Sequence, residues 1–310
     1  LREQGINVVA REPLEVGFQP ENAAYLETKV RRMRHLLRLP AAAPANVTGQ
    51  QLPPELARRV DELRQRALAY AEERGEPFVT LSYAQSLDGS IAALPGQPLT
   101  LSGPLSMTLT HALRAAHDAI LVGVGTVIAD DPRLTVRLVA GPDPQPIVLD
   151  SRLRIPPQAR ILRHPKGVWI AATGEANARH ALPESARVLA VRAGPDGRVD
   201  LRSLLQELGR RGVRSVMVEG GAQVLTSFLE AQLGQSAVIT IAPRFLGGVN
   251  ALQPSAQTAP STALPKLPRL APVAYTPAGE DLVVWGDLAW PGDSVERMLL
   301  PPERQQGHRP

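Results

Sequence analysis

Two stretches of this 310-residue chain gather residue types able to bind anions and move protons. In the first, the apolar run Ala119-Ile120-Leu121-Val122 leads into Gly123, Gly125 and Thr126, then Asp130-Asp131-Pro132, Leu134 and Arg137, with Arg114 upstream. Glycines let a ligand approach the backbone, hydroxyls and carboxylates hold or relay protons, and the planar fork of arginine matches the oxygens of a phosphate. Gly123-Val124-Gly125 lacks the third glycine of a dinucleotide fingerprint and is by itself a weak nucleotide signal. In the second stretch, Val216-Met217-Val218 runs into Glu219-Gly220-Gly221-Ala222-Gln223. A strand feeding two glycines that open a helix offers free N–H groups and a helix dipole to a pyrophosphate. The same pattern also serves as a tight strand-to-helix turn. Glu219 ends a buried strand, where a carboxylate is costly without a partner. Asp130 and Asp131 before a proline also suit a turn, and Arg114 and Arg137 also suit salt bridges. Asp88 in Leu-Asp-Gly reads as a turn former. His111 and His117 lack metal spacing and read as structural.

These residues need a scaffold, and the apolar periodicity supplies one. Strand patterns fall at Phe78–Ala84, Ala119–Val122, Ile147–Leu149, Val168–Ala171, Val188–Val191, Val213–Glu219 and Ala237–Ala242. Helical spacing appears over Pro54–Arg74, Gly103–Ala116, Asp200–Arg211 and Ala222–Leu233. Proline opens the first of these helices and Gly75 closes it. Alternating strands and helices predict an α/β sheet, and a terminal strand pair near Ala274-Tyr275 and Leu282–Trp285 predicts an antiparallel edge. Ser86–Ser90 is predicted as a turn and 249–270 as loop. Before all this, Ile6–Val9 reads as a strand and Asn22–Leu37 as a helix with a basic face, followed by a Pro/Ala-rich linker. The expected organisation is residues 1–39 as a small α/β remnant, 40–75 as linker and helix, 76–290 as the main domain and 291–310 as a polar tail.

Composition narrows the function classes. There are no cysteines, which excludes disulfides and thiolate-based zinc sites; no metal site is expected. The net charge of +4 comes without a basic run interleaved with aromatics, so nucleic acid is not an expected partner. No apolar run reaches about 18 residues, so no membrane span is expected. With no signal peptide pattern at its start, the chain is expected in the cytoplasm. It begins at Leu1 rather than Met, as a fragment or processed product would.

Two resemblances add to this. Residues 1–37, LREQGINVVAREPLEVGFQPENAAYLETKVRRMRHLL, resemble the extreme C-terminal segment of GTP cyclohydrolase II. The zinc cysteines and GTP-contacting residues of that enzyme lie upstream of such a segment, so the resemblance implies shared ancestry or a broken fusion rather than cyclohydrolase activity. Further on, PFVTLSYAQSLDGSIA, LRAAHDAILVGVGTVIADDPRLTVR, PIVLDSRLRIP, VMVEGGAQVLTSFL and ITIAPRFLGG occur in that order over residues 77–248. This set closely resembles the pyrimidine reductase of riboflavin biosynthesis, and its first block looks most like the stand-alone fungal and archaeal type. The resemblance implies a dihydrofolate-reductase-like central mixed sheet flanked by helices, a ribosylaminopyrimidine 5′-phosphate substrate, NADPH as hydride donor and a homodimer. It implies NADPH contacts at Ala84, Thr126, Asp130, Ser151 and along Gly220-Gly221-Ala222-Gln223-Val224. Substrate contacts fall on Arg114, Leu134, Arg137 and Glu219. The deaminase-fused bacterial form carries a lysine where Ser82 stands and a tryptophan where Thr100 stands.

The implied reaction turns ribosylamino into ribitylamino. The glycosylamine opens to an imine, which accepts hydride at C1′ once its nitrogen is protonated. Such a site needs a proton source, a phosphate anchor and geometry that holds donor against acceptor. Asp130 is the candidate to orient cofactor or relay water, and Arg114 and Arg137 are the candidate anchors. A pterin or folate reductase of the same fold is disfavoured because the helix near Gly103–Ala116 offers no Asp or Glu. A non-catalytic remnant of a gene fusion is disfavoured by the nearly complete set of site motifs. Whether the substrate is deaminated or 2,5-diamino stays open at this point.

Overall fold

The computed structural model describes residues 51–97, 99–174, 182–252 and 267–291. The expected strand at 6–9, the helix at 22–37 and residues 292–310 of the tail lie outside the described residues.

Helix α1 (Pro54–Arg74) leads into β1 (Phe78–Ser86), β2 (Ser90–Ala92) and α2 (Pro104–Ala116). Then follow β3 (Ala119–Gly123), α3 (Val124–Asp130), β4 (Gln145–Leu149), β5 (Val168–Thr173) and β6 (Ala186–Val191). The chain returns through α4 (Leu201–Arg210) to β7 (Ser215–Val218), α5 (Ala222–Glu230) and β8 (Ser236–Ala242). It ends with β9 (Val249–Asn250), β10 (Arg269–Ala278) and β11 (Asp281–Ala289). Nine strands form one sheet in the order β10-β11-β8-β1-β7-β3-β4-β5-β6. From β8 to β6 all neighbours are parallel, and β11 and β10 add antiparallel pairs at the C-terminal edge. The mixed sheet flanked by helices is therefore present.

The parallel strands read as continuous apolar runs because both faces are covered. On one face Leu204, Leu208, Leu225 and Phe228 of α4 and α5 pack against Val79, Leu121 and Val218. On the other, Leu109 and Leu113 of α2 meet Phe78, Met217 and Val238.

In three places the structure departs from or adds to the sequence expectations. Residues 124–130, which the sequence assigned to no element, form a helix, because Gly123 alone makes the turn and Val124 and Val127 find burial in the core. Ser90, expected in a turn, and Val249-Asn250, expected in a loop, belong to strands Ser90–Ala92 and Val249–Asn250, which pair as a small antiparallel sheet. Both are too short to show a period.

The third concerns α1. Its stripe Leu56, Val60, Leu63 and Ala67 is buried in the same cluster as Leu109, Leu113 and Trp285. Arg59 Nε donates to Thr276 Oγ1 on β10 at 3.1 Å. The helix, expected with the linker as a unit ahead of the main domain, thus packs against the core of that domain. Leu56→Ala is expected to cost about 3 kcal/mol, by lost burial plus a residual cavity. The thermal midpoint should fall by about 6–12 °C, whereas deletion of residues 1–50 should leave both melting and activity intact. Calorimetry of the two variants checks this; an unchanged midpoint in Leu56→Ala would show that α1 is dispensable.

Candidate active site

Strand β7 lies between β1 and β3, and the C-terminal ends of all three converge on one region. Crevices of α/β sheets form at such places. A cleft of about 1120 Å³ opens there, lined by Thr126, Asp130, Ser151, Gly221, Ala222, Gln223 and Val224. Seven of the residues expected to hold the cofactor therefore share one surface. Ala84, on β1 opposite Thr240, and Gly220 do not line it.

The two glycines after β7 have different reasons to be glycine. A Cβ on Gly220 would lie 2.7 Å from Val224 Cβ, and one on Gly123 would lie 2.8 Å from Val224 Cγ2. Val224 thus seats α5 against the ends of β3 and β7, and neither glycine tolerates a side chain. A Cβ on Gly221 would meet only Thr126 Oγ1, at 3.6 Å, an ordinary contact. Among the described residues no contact requires glycine at 221, which caps α5 in extended backbone and faces the cleft. That free space at a helix N-terminus fits a pyrophosphate. Gln223, with its amide oxygen turned to Arg198, accepts from Nη1 at 2.7 Å and Nη2 at 2.9 Å. Ser151 Oγ accepts from Val199 N at 3.0 Å, tying the end of β4 to the 193–199 turn.

Arg114 and Glu219, expected as two separate substrate contacts, are one ion pair. Arg114 Nε donates to Oε2 at 2.9 Å and Nη2 to Oε1 at 2.6 Å. Nη1 donates to Thr135 O at 3.2 Å. The arginine is 7% exposed. Burial alone would lower its pKa, but the Glu219 charge and hydrogen bonds outweigh this and raise it. Glu219 is half-buried just past the end of β7 and pairs with the buried Arg114, so Arg114 is not a free anchor.

Arg137 is exposed, and its Nη1 donates to Thr135 Oγ1 at 2.8 Å. Partial burial and the neighbouring cations Arg114, Arg133 and Arg160 hold its pKa below the usual value. An anion beside it would relieve that repulsion. Its backbone N donates to His111 Nδ1 at 2.8 Å, and burial with the nearby arginines lowers the His111 pKa to about 4. His111 is structural as expected, yet it sets the position of Arg137. His117 is likewise buried, between Leu113 O and Thr80 Oγ1. Thr135, which holds both Arg114 and Arg137, is not marked by the sequence, and the bond from the Arg137 backbone to His111 gives no signal at that level.

Leu134 has φ of 56° and is 2% exposed in the core with Val122 and Val124. Any substrate contact there comes from its backbone, not its side chain. Asp131, the left-handed cap of α3, accepts from Arg160 N at 2.7 Å and is a structural residue. Asp130 stays at the cleft, and partial burial raises its pKa.

Residues 77–284 match the profile of the RibD C-terminal domain. The chain belongs to that family. The RibD C-terminal domain here is 38% identical over 182 residues to the 2,5-diamino-6-ribosylamino-4(3H)-pyrimidinone 5′-phosphate reductase of Archaeoglobus fulgidus, covering 56% of this chain and 83% of that protein. It is 35% identical to the riboflavin biosynthesis protein RibD of Aquifex aeolicus, over 60% of this chain and 51% of that one. The chain thus spans about half the length of that RibD protein. Among solved structures, the riboflavin biosynthesis reductase Rib7 of Saccharomyces cerevisiae superposes with a TM-score of 0.58 at 30% identity, over 74% of this chain and 99% of that one. Among the described residues no helix of the RibD C-terminal domain is long and apolar enough to cross a membrane.

Proposed function

We propose that this chain is an NADPH-dependent reductase that converts 2,5-diamino-6-ribosylamino-4(3H)-pyrimidinone 5′-phosphate to its ribitylamino form. The observation that carries the cofactor reading is the glycine pair: Gly220 is required by the packing of Val224, while Gly221 is left open to the cleft. The choice of the diamino substrate is supported by the Archaeoglobus relative of that name, most of whose length the chain covers, and by Ser82 in place of the bacterial lysine.

In this reading the N–H groups at the start of α5 hold the pyrophosphate, and Thr126 and Ser151 hold the rest of the cofactor. NADPH supplies the hydride. Asp130, with its raised pKa, keeps a proton nearer neutral pH than an ordinary carboxylate and passes it through water toward the imine nitrogen. Glu219, fixed by Arg114, uses its remaining lone pairs for substrate hydroxyl or ring N–H groups. Arg137 anchors the phosphate. The chain acts in the cytoplasm as a homodimer. Supporting the dimer, Val273 and Tyr275 on the edge strand β10 are 43% and 60% exposed. They continue an apolar row through Val284 and Ile239 to Tyr83.

The test is NADPH oxidation with the diamino and the deaminated pyrimidine phosphates side by side. Turnover of neither rejects the function, and preference for the deaminated compound rejects the substrate assignment. Arg137→Ala should lower kcat/KM for the phosphorylated substrate about ten- to a hundredfold and barely affect a dephosphorylated one. Equal penalties on both would remove Arg137 from the phosphate. Tyr275→Glu should shift the sedimentation mass from dimer to monomer; a wild-type monomer would reject the dimer.

A further inference from the structure

One carboxylate, that of Asp88, ties the turn after β1 to the segment after β8. Asp88 Oδ1 accepts from Leu246 N at 3.0 Å and from Ser86 Oγ. Its Oδ2 accepts from Gly247 N at 2.7 Å and from Ser90 Oγ at 3.0 Å. Ser90 Oγ in turn accepts from Gly248 N at 3.1 Å. Three successive backbone N–H groups, at 246, 247 and 248, therefore point at the 86–90 turn. The left-handed Gly247, φ 60°, bends them into a concavity of the kind that binds anions, and here the anion is the protein's own side chain. Leu87 N to Arg244 O and Ala251 N to Gly89 O, at 2.8 and 2.9 Å, flank the clamp.

The clamp has a consequence at a distance. The clamped segments run on into the pairing of β2 with β9, where Ala92 lies opposite Val249. The two segments approach so closely that a Cβ on Gly248 would lie 2.1 Å from Ala92 O. Ile91, Ala92 and Val249 line the same cleft as Thr126 and Gly221. Asp88 itself does not line it.

We propose that Asp88 is a positioning residue of the reductase, fixing the β2–β9 wall at the distance the cofactor needs. This rests on the assignment of the cleft to NADPH. The wall hangs from the end of the main sheet by the clamp and these few backbone bonds, so loss of the clamp should loosen it without unfolding the core. The hydroxyl and backbone donors hold the Asp88 carboxyl well below the usual carboxylate range, so the clamp stays charged through mildly acid solution.

Two readouts on the full chain test this. In Asp88→Asn one acceptor becomes an N–H₂ group facing N–H donors. Hydrogen exchange should speed up in residues 89–97 and 246–251, with β1, β3 and β7 unchanged. NADPH affinity, read from nicotinamide fluorescence, should weaken about tenfold. Ser90→Ala, which removes one donor to Asp88 and the acceptor of Gly248 N, should give a smaller change in the same places. Exchange that rises uniformly, or stays at wild-type rates in both variants, overturns the proposal. So does a loosened wall with unchanged NADPH affinity. If the wild-type chain does not bind NADPH, the cofactor assignment and the positioning role toward NADPH both fall, and the exchange data still decide whether Asp88 holds the wall.

Discussion

Gly221→Val is expected to remove NADPH binding from a protein that still folds. The new Cβ meets only Thr126 Oγ1, at 3.6 Å, so the fold has room for it. Its methyl groups would occupy the space in front of the α5 N-terminus, where an anion must come within hydrogen-bond distance of the backbone. Charge-assisted bonds of this kind are worth about 1.5–3 kcal/mol each, so displacement from two of them weakens binding by at least about a hundredfold. Gly220→Ala is the opposite case. Its Cβ would sit 2.7 Å from Val224 Cβ, and α5 must move to admit it. That overpacking is expected to destabilise by about 1–3 kcal/mol. The pair separates a structural glycine from a ligand-facing one. If Gly221→Val binds NADPH as the parent does, both glycines serve only the strand-to-helix turn.

The second large effect is expected from Arg114→Ala. The pair with Glu219 is bidentate and its arginine is nearly buried. Removing one partner leaves the other's charge uncompensated, at about 3 kcal/mol. It also leaves Thr135 O with only the longer bond from Arg137 Nη1, at 3.4 Å, so the 131–137 loop loses a fixed point close to Arg137. Stability and kcat/KM should therefore fall together, with kcat/KM reduced by about a hundredfold or more. A double-mutant cycle with Glu219→Ala isolates the pair. If the two act as a unit, the double variant should be less destabilised than the sum of the singles. Additive losses would mean that the pair contributes nothing as a pair, and that Arg114 acts separately.

Much of the scaffold was legible in the sequence. The strands at Ala119–Gly123 and Ser215–Val218 and the helix at Pro104–Ala116 followed from apolar runs and helical spacing. Those patterns are local, and burial on both faces of a parallel sheet leaves little else to compete with them. Several residues that line the cleft were legible as well: Gly221 after a strand, and Thr126 and Asp130 in the first stretch.

What the sequence left open was decided by contacts between distant segments. The carboxylate of Glu219 needed a partner, but 105 positions separate it from Arg114, and only the adjacency of α2 and β7 brings them together. Gly220 and Gly221 are indistinguishable as letters and differ only because Val224 folds back over one of them. The period of α1 was plain, but its membership of the main domain depended on Leu56 and Leu63 meeting Leu109 and Trp285. Asp88 read correctly as a turn former from its neighbours. Its grip on residues 246 and 247 appears only where β1 and β8 end side by side. Local periodicity determines which elements form, because side-chain burial repeats with the backbone. Pairing of charges, close approach of glycines and clamps between loops depend on which elements become neighbours, and that is settled only when the sheet is assembled.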